Sequence, residues 1–219
     1  MINNTPYQFM LVGASGRGKT YSFRNMNPKT CGFINMEGKP LPFINNFENY
    51  FVPNGWQDAY TKLIEYAKNS QITEVVFDSF SAYVDSVLKT ARETKKNFDV
   101  WNLYNEEIGK FNFIMKKYPK DIIVTAHYEW IQNEGGAVEK RIKVKGKEWE
   151  GLVEKDYTIV SFVDMRIKDN KKEYFFSLNT DGKDSAKCPP MFLKDDTNIT
   201  TNDSNEFLQH VRYILTNNK

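Results

Sequence analysis

The sequence is poor in the residues that build metal clusters and disulfide frameworks. It has only 2 cysteines and 2 histidines in 219 residues. Cys31 and Cys188 are far apart in the chain, and neither belongs to a CxxC pair or a Cys/His pair with metal-ligand spacing. This pattern argues against a zinc site and a disulfide scaffold, and favours two reduced thiols.

A long hydrophobic run and a strong net charge are also missing. The apolar runs are strand-sized and fall short of the ~18 residues that a membrane span needs, and no charged-then-apolar leader is seen. We therefore expect a cytoplasmic protein with no membrane partner. The formal charge of +2 is too small to indicate nucleic-acid binding by itself, so any such role must depend on local clusters of cations.

What is present suits a single folded domain over residues 1–219. The hydrophobic fraction of 40% and the charged fraction of 26% are typical of a chain with a proper core. Apolar runs at 7–12, 32–36, 73–78 and 121–126 alternate with stretches of helical periodicity, which predicts an α/β fold with a mainly parallel sheet. This core covers about 5–127, and an extension covers about 128–219.

The extension has a different pattern. Two alternating stretches on either side of residues 133–136 predict a β-hairpin, followed by a short helix near 147–155. Further strands are expected near 157–167 and 172–178. A terminal helix over 204–215 should begin at a cap formed by Asp203 or Ser204.

The most informative motif follows the first apolar run and has the P-loop pattern G-x-x-x-x-G-K-[ST]. Its residues are Gly13, Ala14, Ser15, Gly16, Arg17, Gly18, Lys19 and Thr20. Glycines let the backbone approach an anion closely, and a helix after the loop would direct free N–H groups at phosphates. The pattern predicts that this segment binds ATP, with Lys19 on the β and γ phosphates and Thr20 on Mg²⁺; the alternative is an ordinary glycine-rich turn.

Three polar residues stand at or just beyond the ends of predicted strands. Asp78 closes the third strand, where a carboxylate is suited to a Mg²⁺ site, although aspartate also caps helices. Glu37 follows the second strand and is our candidate general base for the water that attacks the γ-phosphate; it could instead be a loop acid. His127 follows the fourth strand and would sense the γ-phosphate if that strand lies between the first and third, or it is a neutral loop histidine.

Alternating cations after the hairpin form a candidate track for a nucleic-acid backbone. In a strand, their side chains would share one face, with Trp130 or Trp149 as stacking surfaces. The other interpretation is a charged edge that discourages strand pairing. These cations are Arg141, Lys143, Lys145 and Lys147.

The chain resembles the RecA-like ATPases, and most closely the short phage-encoded nucleotide-binding proteins of single-strand annealing and recombination. The resemblance covers roughly residues 5 to 195. It is carried by the P-loop, by Phe33 to Glu37, by Asp78-Ser79, by Thr125 to Glu129, and by the late segment Gly182 to Pro189. Unlike RecA, the chain has His127 where RecA has a glutamine sensor, only Tyr21 to Thr30 join the P-loop to the second strand, and no DNA-binding domain is appended.

The resemblance implies a three-layer RecA-like fold and an ATPase that uses Mg²⁺ and single-stranded DNA. It also implies self-assembly into a ring or filament, with Lys183 or Lys187 inserted into a neighbour's ATP site like an arginine finger. A single-strand-binding protein is a further implied partner, and a phage-encoded chain would work in the host cytoplasm. Lys183 and Lys187 could equally be solvated loop lysines.

Two other functions are compatible with the P-loop. A P-loop kinase of nucleotides or small molecules would normally carry an arginine-rich lid, but no arginine occurs between Arg92 and Arg141. A nucleotide-gated assembly module would bind ATP and hydrolyse it negligibly. Substitution of Glu37 separates this module from a true ATPase.

Overall fold

A mostly parallel sheet forms the centre of the protein, and its strands coincide with the apolar runs of the sequence. The computed structural model describes residues 6–132, 136–193 and 199–217. The strands are β1 (Gln8–Val12), β2 (Cys31–Asn35), β3 (Asn49–Phe51), β4 (Glu74–Asp78), β5 (Asp121–Ala126), β6 (Tyr128–Gln132), β7 (Val138–Ile142), β8 (Ile159–Lys168), β9 (Lys171–Ser177) and β10 (Ile199–Thr201). The predicted runs match β1, β2, β4, β5, β8 and β9, whereas the three-residue strands β3 and β10 are too short to give a sequence signal.

The strand order of the main sheet is β10-β9-β8-β1-β5-β4-β2-β3. From β8 to β3 all neighbouring pairs are parallel, and β9 and β10 extend the sheet by antiparallel pairing. β5 lies between β1 and β4, which is the condition that places His127 beside the P-loop and Asp78. The hairpin of β6 and β7 forms a separate two-stranded sheet.

Helices cover both faces of this sheet, which gives the three-layer α/β architecture that the sequence predicts. The helices are α1 (Trp56–Lys68), α2 (Phe80–Thr94), α3 (Phe98–Lys116) and α4 (Ser204–Asn217). Alternate residues of each strand enter the two cores: Met10 and Val12 pack with α1, α2 and α3, and Phe9 and Leu11 pack on the side of α4. Asp203 caps α4, because its carboxylate accepts the backbone N–H groups of residues 205 and 206.

Three local expectations were wrong. A single 3₁₀ turn, Thr20–Phe23, follows the P-loop in place of a helix. The chain must return to β2 at once, and Pro28 disfavours helical backbone at the residue before it. Phe23 is buried in the core beside α4, so the C-terminal helix covers this face instead.

The other two corrections concern the extension. Two 3₁₀ turns, Lys147–Trp149 and Glu154–Asp156, replace the short helix expected near 147–155. Strand β7 ends at Ile142, so only Arg141 of the four candidate DNA-binding cations lies in a strand. Beyond it the chain turns away to bury Val144, and the amide of Lys145 binds the Tyr104 hydroxyl at 3.0 Å. The predicted hairpin is confirmed by β6 and β7, while positions 133–135 of its turn lie outside the described residues.

Candidate nucleotide site

The P-loop follows β1 directly, and its glycines are required by the backbone. Gly16 and Gly18 have φ values of +74° and +91°, in the left-handed region that favours glycine. A side chain at Gly13 would lie 2.9 Å from the carbonyl oxygen of Val163. The loop therefore curls back over the carboxyl end of β1, as a phosphate-binding loop does.

Lys19 is buried under this loop, with 7% of its surface exposed. Its ammonium donates hydrogen bonds to the carbonyl oxygens of Gly13 at 2.7 Å and Ala14 at 3.0 Å. Burial lowers the pKa of Lys19 to about 8, although the nearby carboxylates of Asp78 and Glu37 act in the opposite direction. The cation is held by weak carbonyl partners, and a phosphate group would replace them with a stronger, charge-assisted interaction.

Thr20 and Asp78 meet although they are far apart in sequence. The Thr20 hydroxyl donates to Asp78 Oδ2 at 2.8 Å, and the hydroxyl of Thr125 donates to Asp78 Oδ1. Burial raises the pKa of Asp78, and these two hydrogen bonds oppose that rise. Thr125 is a functional neighbour that the sequence analysis missed; its signal was a polar residue near the end of an otherwise apolar strand.

These oxygen atoms fit a magnesium ion. Mg²⁺ prefers oxygen ligands and is commonly bound by one or two protein groups together with phosphates and water. No group of three or more His, Cys, Asp or Glu side chains able to hold a metal occurs in the part of the chain that the structure describes. A site shared between Thr20, Asp78 and the phosphates does not need such a group.

Glu37 and His127 face each other on the opposite side of Lys19. His127 Nε2 lies 3.9 Å from Glu37 Oε1, and His127 Nδ1 lies 3.1 Å from the carbonyl oxygen of Gly13. Because a carbonyl only accepts, this contact assigns the proton to Nδ1. Burial lowers the pKa of His127, and the charge of Lys19 adds to that effect, so the ring is neutral at pH 7.

Glu37 itself is ionised and tethered. The Lys39 ammonium donates to Glu37 Oε2 at 2.6 Å, and this hydrogen bond is the main reason that the pKa of Glu37 is lowered. The side chain of Asn35 holds the turn, since its amide donates to the carbonyl of Lys39 at 2.8 Å. A carboxylate in this state can accept a proton from a bound water.

The five predicted side chains line a common cavity of about 470 Å³. They are Lys19, Thr20, Glu37, Asp78 and His127. The sequence analysis missed other residues of its wall because they come from a loop without a motif and from the late strand β9. These are Asn35, Lys39, Pro40, Leu41, Pro42, Tyr21 and Tyr174.

Arg17 has a different environment from the rest of the P-loop. Its guanidinium lies 3.5 Å from the carboxylate of Asp164 on β8, and both side chains are about 40% exposed. The P-loop is therefore joined to the strand beside it. Ala14 and Ser15 lie between the glycines of the loop, and Ser15 lines the cavity.

The two candidate finger lysines lie away from the cavity of their own chain. The Lys183 ammonium is 4.0 Å from Asp181 on an exposed turn. Lys187 pairs through its backbone with Val160 of β8, and its ammonium donates to the carbonyl oxygen of Lys155 at 3.3 Å. Burial lowers the pKa of Lys187. Neither lysine lines the cavity, so any role at an ATP site would be at that of a neighbouring molecule.

The candidate DNA-binding cations are divided between paired and exposed groups. Arg141 binds Glu139 at 2.9 Å, and Lys145 lies 3.7 Å from Asp85. Lys143 and Lys147 are exposed. The backbone amide of Lys143 donates to the carbonyl oxygen of His127 at 2.8 Å, so this segment is tied to the cavity wall.

The fold and this site define a P-loop nucleotide-binding protein with a RecA-like α/β core. The chain belongs to the AAA domain family, which it matches over residues 5–188. Among solved structures, it is similar to a KaiC-like protein of the hyperthermophilic archaeon Pyrococcus horikoshii, with a TM-score of 0.46 and 15% identity over 78% of this chain and 76% of that chain. No curated protein sequence matches the chain. Within the described ranges, no helix is long and apolar enough to cross a membrane.

Proposed function

We propose that this protein hydrolyses ATP with Mg²⁺ and couples hydrolysis to single-stranded DNA, in annealing, recombination or replication of the phage type. The observation that carries the ATPase proposal is the meeting of Lys19, Thr20, Glu37, Asp78 and His127 at one cavity. These residues come from the ends of four different strands and a loop. A P-loop with a carboxylate at each of two positions suits phosphoryl transfer to water.

Each side chain has a defined role in this proposal. Lys19 exchanges the carbonyls of Gly13 and Ala14 for the β and γ phosphates, and the loop amides bind the same phosphates. Thr20 and Asp78 hold Mg²⁺, which neutralises charge on the phosphates when bound. Glu37 accepts the proton of the attacking water, and neutral His127 senses the γ-phosphate from 3.9 Å beyond it.

The DNA part of the proposal is supported by the segment after the hairpin. Lys143 and Lys147 present exposed cations, which single-stranded nucleic acid binds through its phosphates. Trp130 is 57% exposed and offers a surface on which a base can stack. Because the amide of Lys143 binds the carbonyl of His127, DNA held by this segment would act on the γ-phosphate sensor.

Self-assembly completes the proposal. Lys183 and Lys187 lie outside the cavity of their own chain, and a cation inserted from a neighbour would stabilise the negative charge that grows on the transferred phosphoryl group. Assembly side by side on single-stranded DNA would bring such a cation to each site. A single-strand-binding protein would be a natural partner on the same strand.

The test is steady-state ATP hydrolysis with Mg²⁺, with and without single-stranded DNA, at one fixed low salt concentration. We expect stimulation by DNA in the wild type and loss of both basal and stimulated rates in Lys19→Ala. Lys172→Ala, which removes an exposed lysine of β9, is the matched control and should behave as the wild type. ATP hydrolysis without any response to DNA would contradict the DNA part, and hydrolysis that survives Lys19→Ala would contradict the whole proposal.

A further inference from the structure

A second cavity, of about 520 Å³, opens beside the phosphate cavity. Tyr21 and Tyr174 line both of them, so the two form one continuous cleft. The additional volume falls within the range of small-molecule sites. The groups assigned to phosphate chemistry all lie in the first cavity, which leaves the second without a role.

The position of this second cavity follows from the strand order. Glu37 comes after β2 on one side of β1, whereas Tyr174 belongs to β9 on the other side. A side chain at Gly18 would lie 3.1 Å from the Tyr174 ring, so the ring rests against the P-loop. A nucleotide with its terminal phosphate near Glu37 would therefore extend its other end towards Tyr174.

The charges of the second cavity do not suit another phosphate. Its two cations are already neutralised: Arg24 lies 3.4 Å from Asp203, and Arg166 lies 2.6 Å from Glu173. The Arg24 guanidinium also covers the ring of Tyr21 at 4.5 Å. Paired cations and aromatic rings favour an uncharged, flat ligand group.

A buried amide on the wall of this cavity has no partner. Asn202 is 6% exposed, and its side-chain nitrogen and oxygen make no hydrogen bond to any residue within 6–132, 136–193 and 199–217. Its oxygen lies 3.4 Å from the position that a side chain at Gly18 would occupy. An unpaired buried amide is costly, so its presence beside a cleft indicates a ligand that supplies both a donor and an acceptor.

We infer that the second cavity holds the nucleobase of the bound nucleotide, with Tyr174 as its stacking surface and Asn202 as its hydrogen-bond partner, and that the base is adenine. This inference rests on the proposed nucleotide-binding function. Adenine presents an amino donor next to a ring-nitrogen acceptor, which one amide group can satisfy in pairs. Guanine presents two acceptors at the equivalent positions and leaves one half of the amide unmatched.

The experiment compares three probes by titration calorimetry with Mg²⁺: ATP, GTP and inorganic tripolyphosphate. Tripolyphosphate carries the charges without the base. We expect Tyr174→Leu to weaken ATP about 10-fold and to leave tripolyphosphate unchanged, and Tyr174→Phe to restore ATP affinity because the ring remains. Asn202→Ala should remove the preference of the wild type for ATP over GTP.

Leu41→Ala is the matched control, because Leu41 lines only the first cavity, on the wall away from β9. Thermal melting of each variant shows whether it is folded. A loss of ATP affinity in Leu41→Ala but not in Tyr174→Leu would place the base on the other wall and overturn the inference. Equal affinity of the wild type for ATP and tripolyphosphate would also overturn it while leaving the phosphate site intact, whereas no binding of either probe would refute the proposed function itself.

Discussion

The phosphate cavity and the segment after the hairpin differ in how their side chains are held. Lys19, Asp78 and His127 follow strands that are neighbours in one parallel sheet, so each backbone position is fixed from both sides. The cations after β7 follow a separate two-stranded sheet, and the chain beyond Ile142 is irregular. The first region is built for defined chemistry, whereas the second presents charge at an exposed surface. The predictions below test this difference, from the largest expected effect to the smallest.

Glu37→Gln should give the largest change. It keeps the shape of the side chain but removes the carboxylate that we assign as general base. We expect kcat for ATP to fall about 10²- to 10⁴-fold while ATP affinity is retained. Single-turnover hydrolysis and equilibrium binding measure the two quantities separately.

The control for this variant is Lys39→Ala, which removes the 2.6 Å partner of Glu37 but leaves the carboxylate in place. Its effect on kcat should be much smaller. An unchanged rate in Glu37→Gln would remove Glu37 as the base and favour the nucleotide-gated assembly module.

The second prediction compares the core under the site with the hairpin. Phe111 is fully buried, and its ring centroid lies 5.0 Å from that of Phe77 and 4.6 Å from that of Tyr83. We expect Phe111→Ala to lower the free energy of unfolding by about 3–5 kcal/mol. Trp130→Ala, at an exposed hairpin position, should change it by only about 0.5 kcal/mol. Denaturant unfolding measures both, and similar losses would show that the hairpin is as firmly packed as the core.

The third prediction concerns the buried charge of Lys19. Its pKa is about 8 in the folded protein against 10.5 for an unperturbed lysine. Between these pH values the unfolded chain binds the proton and the folded protein does not, so the stability of the wild type rises with pH through this window. The gain is about 3 kcal/mol relative to Lys19→Met, which lacks the titrating group.

Denaturant unfolding at pH 7.5, 9 and 10.5 measures this difference. Lys172→Met is the matched control, since Lys172 is exposed on β9. If the stability difference between the wild type and Lys19→Met stays constant from pH 7.5 to 10.5, the ammonium is not desolvated as the structure indicates.

The same comparison explains what the sequence could predict. Strand ends are marked by apolar runs, and parallel strands end at one edge of a sheet, so the proximity of Glu37, Asp78 and His127 was predictable. Positions set by long-range pairing were not. Tyr174 reaches Gly18 only through the antiparallel register of β8 and β9, and Asn202 arrives through the three-residue strand β10.

The turn after the P-loop shows the same limit. Tyr21 to Thr30 is too short for a helix and a return to β2, but its local residues are compatible with a helix. The competition was decided by Phe23, which enters the core beside α4, nearly the whole chain away in sequence. Residues 141–147 likewise alternate as in a strand, and Ile142 and Val144 are buried as that pattern predicts, yet no partner strand within the described ranges extends past Ile142.

The smallest effect is expected at the exposed cations. Changing both Lys143 and Lys147 to Ala should weaken single-stranded DNA binding and reduce the steepness of its salt dependence by about 0.7 for each phosphate that the protein no longer neutralises. The measurement is DNA affinity by fluorescence anisotropy at several salt concentrations. Lys116→Ala with Lys117→Ala is the matched control, because these neighbours lie at the end of α3, where Lys116 is 3.6 Å from Asp156 and Lys117 covers the Phe113 ring. A weakening in the control equal to that in the test pair would mean that DNA responds to overall charge, and the segment tied to His127 would have no special part in coupling.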